Sequence, residues 1–268
     1  MESIILTEDL APYAMAERRE IQEVRLTGEV DHIGRHAFYN CRGLKRLHFP
    51  DTLRDIGDGA FKNCEQLDEL VIKRSGTEEK RGDCAGLKSI LAELPGAFTV
   101  TFLGKEGQQE SVYYFPAYLH DYEENNEARI INQVTYGVGA HYRECVRNVG
   151  IDVAVYDRLF RSCVVIDEEA ALKIALYRTM YPEELRAEAG KNYREWLYQH
   201  RKQVLQWLAE QEEMDLLARW LNLEIYQSEP EWREATELLR EWERWEAVSL
   251  LMQERQKRYG QRKNKFEF

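Results

Sequence analysis

Apolar residues fall at a fixed stride through the early part of the chain. Ile21, Val24, Leu26, Val30 and Ile33 recur as Leu44, Leu47, Phe49, Leu53 and Ile56, and Leu67, Leu70 and Ile72 open a third round. The phrase IGRHAFYNC from Ile33 returns as IGDGAFKNC from Ile56, a period of 23 residues. A period in the twenties marks a solenoid. Within each unit the L-x-x-L-x-L spacing alternates its last apolar residues, which predicts a short strand with one buried face. One such strand cannot cover that face alone, whereas stacked strands build a continuous core.

The other repeated positions have physical roles in such a stack. Phe38 and Phe61 are the largest side chains of their units and are expected to fill the interior. Ala37 and Ala60 stand where the chain packs closely. Asn40–Cys41 and Asn63–Cys64 sit at the turn before a strand. There an inward Asn satisfies turn backbone groups, and Cys serves as a small apolar residue. Side chains alternate along a strand, so the residues between the apolar ones point away from the core. Stacking then places Glu23, Arg46 and Glu69 in one outward column and Arg25, His48 and Val71 in the next, with Arg46 between two carboxylates.

The pattern IGxxAFxNCxxLxxLxxP over residues 21–72, about a fifth of the chain, resembles the leucine-rich repeats of the BspA-like bacterial surface antigen class. The resemblance implies a right-handed solenoid with a parallel sheet on its concave face, a surface often used to bind proteins. Many relatives carry long arrays and export signals. This array is short and its start, MESIILTEDLAPY, has neither a basic residue nor a long apolar run. At the N-terminal side Thr7 is expected to cap a short helix through EDLAPYAMAERRE, which covers the first strand edge. The charged stretch KRSGTEEKRGD predicts a loop inserted at a turn. CAGLKSI echoes the repeat from Cys84, three residues short of the period, and AFTVTFLG alternates Phe98, Val100 and Phe102 as a strand. Residues 84–110 are therefore expected to close the solenoid.

From residue 111 to 166 no repeat is present. The segment is rich in Tyr, and Asp152 is expected to cap a helix holding Val155 and Leu159. Pro116, Gly137, Gly139, Tyr142, Arg143, Tyr156, Asp157, Leu159 and Phe160 resemble a region of some short bacterial leucine-rich-repeat proteins that carries no established activity. YGVGAHYRECV is the best place to look for chemistry. Gly137, Gly139 and Arg143 offer an anion-binding turn, and His141 and Cys145 stand four residues apart on a helix. The third glycine of a dinucleotide fingerprint is missing, as is the Lys-Ser/Thr of a phosphate loop. The structural alternative is an interdomain turn in which Arg143 pairs with a carboxylate such as Asp157.

Beyond Asp167 the period changes to that of helices. DEEAALKIALYRTMY places Ala171, Leu172, Ala175, Leu176 and Met180 on one side until Pro182 interrupts it. NYREWLYQHRKQVLQWLAE follows, with Tyr193, Leu197, Val204 and Leu208 as its apolar row, then MDLLARWLNL, EWREATELLREW and RWEAVSLLMQERQ. Short links between such helices predict antiparallel hairpins. Their order resembles ankyrin-like or other α-solenoid pairs, without the TPLH turn of ankyrin repeats. All six tryptophans lie here and are expected to be mainly core, with Trp232 and Trp242 partly exposed because charges surround them. The basic end RQKRYGQRKNKFEF is expected to be a solvated tail.

Composition narrows the function classes. The net charge of −11 and pI of about 5.2 argue against a general affinity for nucleic acid. No run approaches the ~20 apolar residues of a membrane span. Five cysteines, an odd number with no C-x-x-C pair, predict reduced thiols and no zinc ribbon. The expectation is an α+β protein of the cytoplasm, with a repeat domain over 1–110, a connecting α/β segment over 111–166 and a helical hairpin domain over 167–268. Its expected role is a scaffold for another protein, with no cofactor, no metal and no catalytic residue. The alternative is a small-ligand or anion-binding protein using Gly137–Cys145.

Overall fold

A computed structural model describes residues 2–75, 84–125 and 130–259. The chain divides into two compact units, Met1–Tyr177 with Glu183–Arg186, and Arg178–Pro182 with Ala187–Phe268.

In the first unit the strands β1 (Glu2–Leu6), β2 (Ile21–Leu26), β4 (Arg46–Pro50), β6 (Glu69–Lys73), β7 (Phe98–Leu103) and β8 (Gln109–Phe115) form one sheet in that order. All neighbours are parallel except β7 and β8. The two-residue strands β3 (His32–Ile33) and β5 (Asp55–Ile56) pair in parallel as a second, narrow ribbon of the solenoid. The register follows the sequence period, with Val24 beside Leu47 and Leu47 beside Leu70. Ile21, Val24, Leu44, Leu47, Leu70, Ala37, Ala60, Phe38 and Phe61 are fully buried. The two Phe rings stack at 5.2 Å with 10° between planes.

The turns carry two left-handed residues per unit. Tyr13, His36 and Gly59 have φ of 60°, 56° and 67°, and Glu17, Asn40 and Asn63 have 65°, 59° and 66°. Asn and Gly tolerate this conformation best, which accounts for the repeated Asn. Asn63 Nδ2 also donates to Asn40 Oδ1 at 2.7 Å, so the asparagines form a ladder from turn to turn. Tyr13 and Glu17 hold the same places one period earlier. The helix expected after Thr7 is therefore absent. Residues 11–17 instead form one more solenoid turn, whose amides at Tyr13, Met15 and Glu17 donate to the carbonyls of Arg35, Ala37 and Tyr39. Pro12 lacks an amide to give to a helix, and the ladder to the next turn satisfies the rest.

His36, Phe38 and Asn40 continue this ladder to Asp58, Ala60 and Lys62. After Phe61 the next turn is replaced by helix α1 (Ala85–Glu93), and the Glu93 carboxylate takes the missing acceptor's place, receiving the Phe61 amide at 3.1 Å. The strand expected over AFTVTFLG is β7, with Phe98, Val100 and Phe102 buried. Antiparallel β8 completes the sheet. The expected inserted loop lies largely outside the described residues.

After β8 come a two-stranded antiparallel ribbon, β9 (Leu119–Asn125) and β10 (Ile130–Tyr136), helix α2 (Gly139–Glu144), the short pair β11 (Val146–Arg147) and β12 (Gly150–Ile151), and helix α3 (Val153–Ile166). Asp152 caps α3 by accepting the Val155 amide at 3.1 Å. Tyr156 anchors this helix. Its hydroxyl donates to Tyr114 O at 2.6 Å, and its ring meets Tyr113, Phe115 and Tyr142 edge-on. Asp167 begins helix α4 (Glu168–Met180) by accepting the Ala170 amide, and the helix ends before Pro182.

The second unit is helical: α5 (Ala187–Gln199), α6 (Arg201–Glu210), α7 (Met214–Asn222), α8 (Glu229–Glu241) and α9 (Trp245–Tyr259). The single helix expected over NYREWLYQHRKQVLQWLAE breaks at His200, although Tyr193, Leu197, Val204 and Leu208 are buried as expected. α6 packs on α7 and α8 on α9, while α6 also meets α8 and α7 meets α9, the stacking of helix pairs. Each turn within a pair contains a left-handed glutamate, Glu212 or Glu243. Ser228 and Glu231 form a capping box for α8. Trp220 and Trp232 are fully buried, and Trp245, not Trp232, is the exposed tryptophan at 63 %. As far as Tyr259 the basic end belongs to helix α9. Arg258 lies over the Trp232 ring at 5.2 Å and donates to Leu221 O, and residues 260–268 lie outside the described residues.

Candidate binding face

The outward residues of the repeat strands stand where the period places them. Glu23 pairs in register with Arg46 and Arg46 with Glu69; Arg25 pairs with His48 and His48 with Val71. The columns extend further than the repeat itself. Ser3 and Ile5 on β1 precede Glu23 and Arg25, and Thr99 and Thr101 on β7 follow Glu69 and Val71. The threonines were readable from the inward alternation of Phe98, Val100 and Phe102. Ser3 and Ile5 carried no repeat signal. Ile5 is 66 % exposed. At the β8 end the face is closed, because Lys173 of α4 lies 4.9 Å over the Tyr114 ring.

The charges sort differently from a simple ladder. Arg46 pairs with Glu69 through its Nε and Oε2. Glu23 is buried and is engaged by the second column instead, with Arg25 Nη2 at 2.6 Å and His48 Nε2 at 2.7 Å from its Oε1. Burial works against the Glu23 charge, yet Arg25 and His48 outweigh it and hold the carboxyl below its ordinary value. His48 is pushed the other way, chiefly by burial and then by Arg25, so its imidazole favours the neutral form. The face thus offers an interlocked polar patch, flanked by Ile5 on one side and by half-buried Val71, Thr99 and Thr101 on the other.

Gly137, Gly139, His141, Arg143 and Cys145 lie in and beside helix α2. Gly137 has φ of 88°, and a Cβ on Gly139 would lie 2.1 Å from Pro116 O, so both glycines answer to backbone geometry. Arg143 is buried. Its Nε donates to Leu91 O, its Nη1 to Pro116 O and Gly139 O, and its Nη2 to Leu94 O and Gly96 O. All five guanidinium N–H groups are thereby spent on carbonyls, and the plane lies 4.5 Å from the Tyr118 ring centre. Burial brings its pKa down to about 10. The guanidinium of Arg143 is thus directed at backbone carbonyls. The His141 ring is exposed and 3.7 Å from Glu144, while the buried Cys145 thiol turns inward toward the carbonyl of His141. Burial pushes that thiol up to about 12. The two do not face each other as nucleophile and base.

All five cysteines are free and buried. Cys41 donates to Met15 O at 3.0 Å and Cys64 to Phe38 O at 3.2 Å, each thiol reaching the preceding turn. No group of three or more His, Cys, Asp or Glu able to hold a metal ion occurs among the described residues. No helix among them is long and apolar enough to cross a membrane.

Residues 8–90 match the family model of a BspA type leucine rich repeat region, in six copies. The repeat array is of the BspA type. The match begins well before Ile21, in accord with the additional turn at residues 11–17. No curated protein and no solved structure matches the chain.

Proposed function

We propose that this protein is an interaction scaffold whose BspA-type sheet presents a binding face for another protein, formed by Glu23, Arg25, Arg46, His48, Glu69 and Val71. The observation that carries this reading is the register. It gathers these six residues from three strands onto two adjacent columns of one outward face. Stacked repeats commonly bind partners through such extended surfaces. The net charge of −11 favours a protein partner over nucleic acid.

Affinity capture from a lysate of the source cells, read by mass spectrometry, tests the proposal. Arg46→Glu is expected to abolish capture of the specific partner while lowering the thermal midpoint only slightly, because an exposed ion pair contributes about 0–1 kcal/mol. Capture that survives both Arg46→Glu and Glu69→Arg removes this face as the site. Attention then moves to the tryptophan-bearing helices.

A further inference from the structure

The two helix pairs α6–α7 and α8–α9 repeat one another. Their left-handed glutamates stand 243 − 212 = 31 residues apart. The same step carries buried Val204, Leu208, Leu217 and Trp220 onto buried Ala235, Leu239, Val248 and Leu251. It also carries Met214 and Leu221 onto Trp245 and Met252, and here the pairs part. Leu221 is buried where α9 packs on α7, with Arg258 donating to its carbonyl at 2.9 Å. Its counterpart Met252 is 48 % exposed, and Trp245 is 63 % exposed. No third pair follows among the described residues. Stacked repeats ordinarily end on a polar outer face. α9 instead presents Trp245, Ser249, Met252, Gln256 and Tyr259, which recur at helical spacing along one side. Along this row runs a groove lined by Glu229, Ser249, Met252, Arg255, Gln256 and Tyr259. Trp245 stands one turn beyond the Ser249 end of that groove.

We propose that this last helix face docks on the same face of a second copy of this chain, α9 against α9, antiparallel about a two-fold axis at Met252. That axis sets Met252 against its own counterpart and Trp245 against Tyr259 of the other chain. Each tryptophan then enters the far end of the other chain's groove, where Gln256 is exposed and Tyr259 half-buried. An aromatic anchor seated in a pocket is a frequent energetic centre of an interface. The flanking charges agree with this register. Arg255 reaches Glu229 of α8 at 2.9 Å, and on the opposite side of α9 stand exposed Glu246, Gln253 and Lys257. The two-fold brings Glu246 of each chain to within one residue of the level of Lys257 of the other, with Gln253 near Gln253 between them. Both ends thereby gain an opposite-charge pair. Within its own helix Lys257 reaches Glu254 at 2.5 Å, and docking adds a second carboxylate to the same ammonium. A parallel arrangement does the reverse, setting Glu246 beside Glu246, Lys257 beside Lys257 and each tryptophan outside the groove. Closed two-fold association of like chains is the commonest form of oligomer. The proposal stands on the helical unit alone and does not rest on the binding face of the repeats.

Sedimentation equilibrium of the full chain is expected to give the mass of two chains. Trp245→Glu is expected to weaken association about tenfold or more, because the aromatic anchor is lost. Its far-UV circular dichroism spectrum should match that of the wild type, since the ring is exposed within one chain and an acidic residue suits a helix start. Charge reversal reads the register. Glu246→Lys and Lys257→Glu each set like charges against each other at both ends of the interface, so each variant alone should associate more weakly than the wild type. Mixed in equal amounts, the two variants restore opposite charges at both ends. The mixture should then associate more tightly than either variant at the same total concentration. A monomeric wild-type chain overturns the proposal, whether another segment of the chain or a different protein covers the face. A dimer indifferent to Trp245→Glu overturns it, and so does a mixture that associates no better than its components.

Discussion

The stacked phenylalanines are the most sensitive point of the repeat core. Phe38 and Phe61 are fully buried, and their rings lie nearly parallel at 5.2 Å. Phe→Ala removes the transfer energy of a benzyl group and leaves a cavity that a rigid stack of turns closes poorly. Either change is expected to cost about 3–5 kcal/mol. At roughly 2–4 °C per kcal/mol for a unit of this size, that lowers the midpoint by about 6–20 °C. The pair is also coupled, since stacked aromatics contribute about 0.5–1.5 kcal/mol beyond their burial. The double variant should therefore cost less than the two single costs added together. All six tryptophans lie in the helical unit, so tryptophan fluorescence is blind to this core. Urea melts followed by far-UV circular dichroism, with hydrogen exchange of peptides spanning β2 to β6, report on it. Costs below about 1 kcal/mol for both single variants would refute the interior stack.

Arg143→Lys should cost at least ~3 kcal/mol in the same melt, because an ammonium cannot fork to five carbonyls and each buried carbonyl left unpaired costs about 1–3 kcal/mol; a neutral result would contradict the buried fork. Cys41 and Cys64, buried and with thiols pushed above their ordinary value by burial, should resist a thiol reagent in the native state and label rapidly once unfolded. Burial, with Asp58 adding to it, raises the pKa of Glu93, so the folded chain binds this proton more readily than the unfolded one. Stability from Glu93 is then fully present below its unfolded value near 4.5 and is lost as pH rises through the folded value. Glu93→Gln keeps an acceptor for the Phe61 amide, so melts should show it gaining on the wild type as pH rises from 4 to 7, and a constant difference would count against the assignment.

What the sequence disclosed follows from how local each signal is. The period of 23 set strand register directly, because each turn repeats the same inward and outward positions, and both outward columns stand where it put them. The first turn escaped notice because Leu10 to Glu17 lack the Phe and the Asn–Cys of later turns. Only the left-handed places survive there, occupied by Tyr13 and Glu17, which do not advertise them. Trp232 was misjudged from its charged neighbours Glu231 and Arg233. On a helix adjacent residues point about 100° apart, so the informative neighbours were Ala235, Thr236 and Leu239, all buried. Arg143 was illegible for another reason. Its partners are backbone carbonyls at the end of α1, beyond it and after β8, and no residue type encodes a carbonyl.

The same stride that buries the core also composes the candidate face, and this limits what the face can recognise. A carboxylate on β2, a cation on β4 and a carboxylate on β6 follow from substituting one outward position in three successive units. The second column then decides which charges are left for a partner. Arg25 and His48 draw Glu23 into a buried cluster, and Arg46 is committed to Glu69. Arg25, half exposed, retains the most open charge of the set. Beside it lies exposed Ile5, and across the face lie Val71, Thr99 and Thr101, none of them charged. A partner therefore gains by covering apolar and hydroxyl surface at the margins while meeting a centre whose charges already satisfy each other. Arg46→Glu acts on that centre by setting it against both Glu23 and Glu69, turning a neutralised patch into one that repels an acidic partner and reorganises for a basic one.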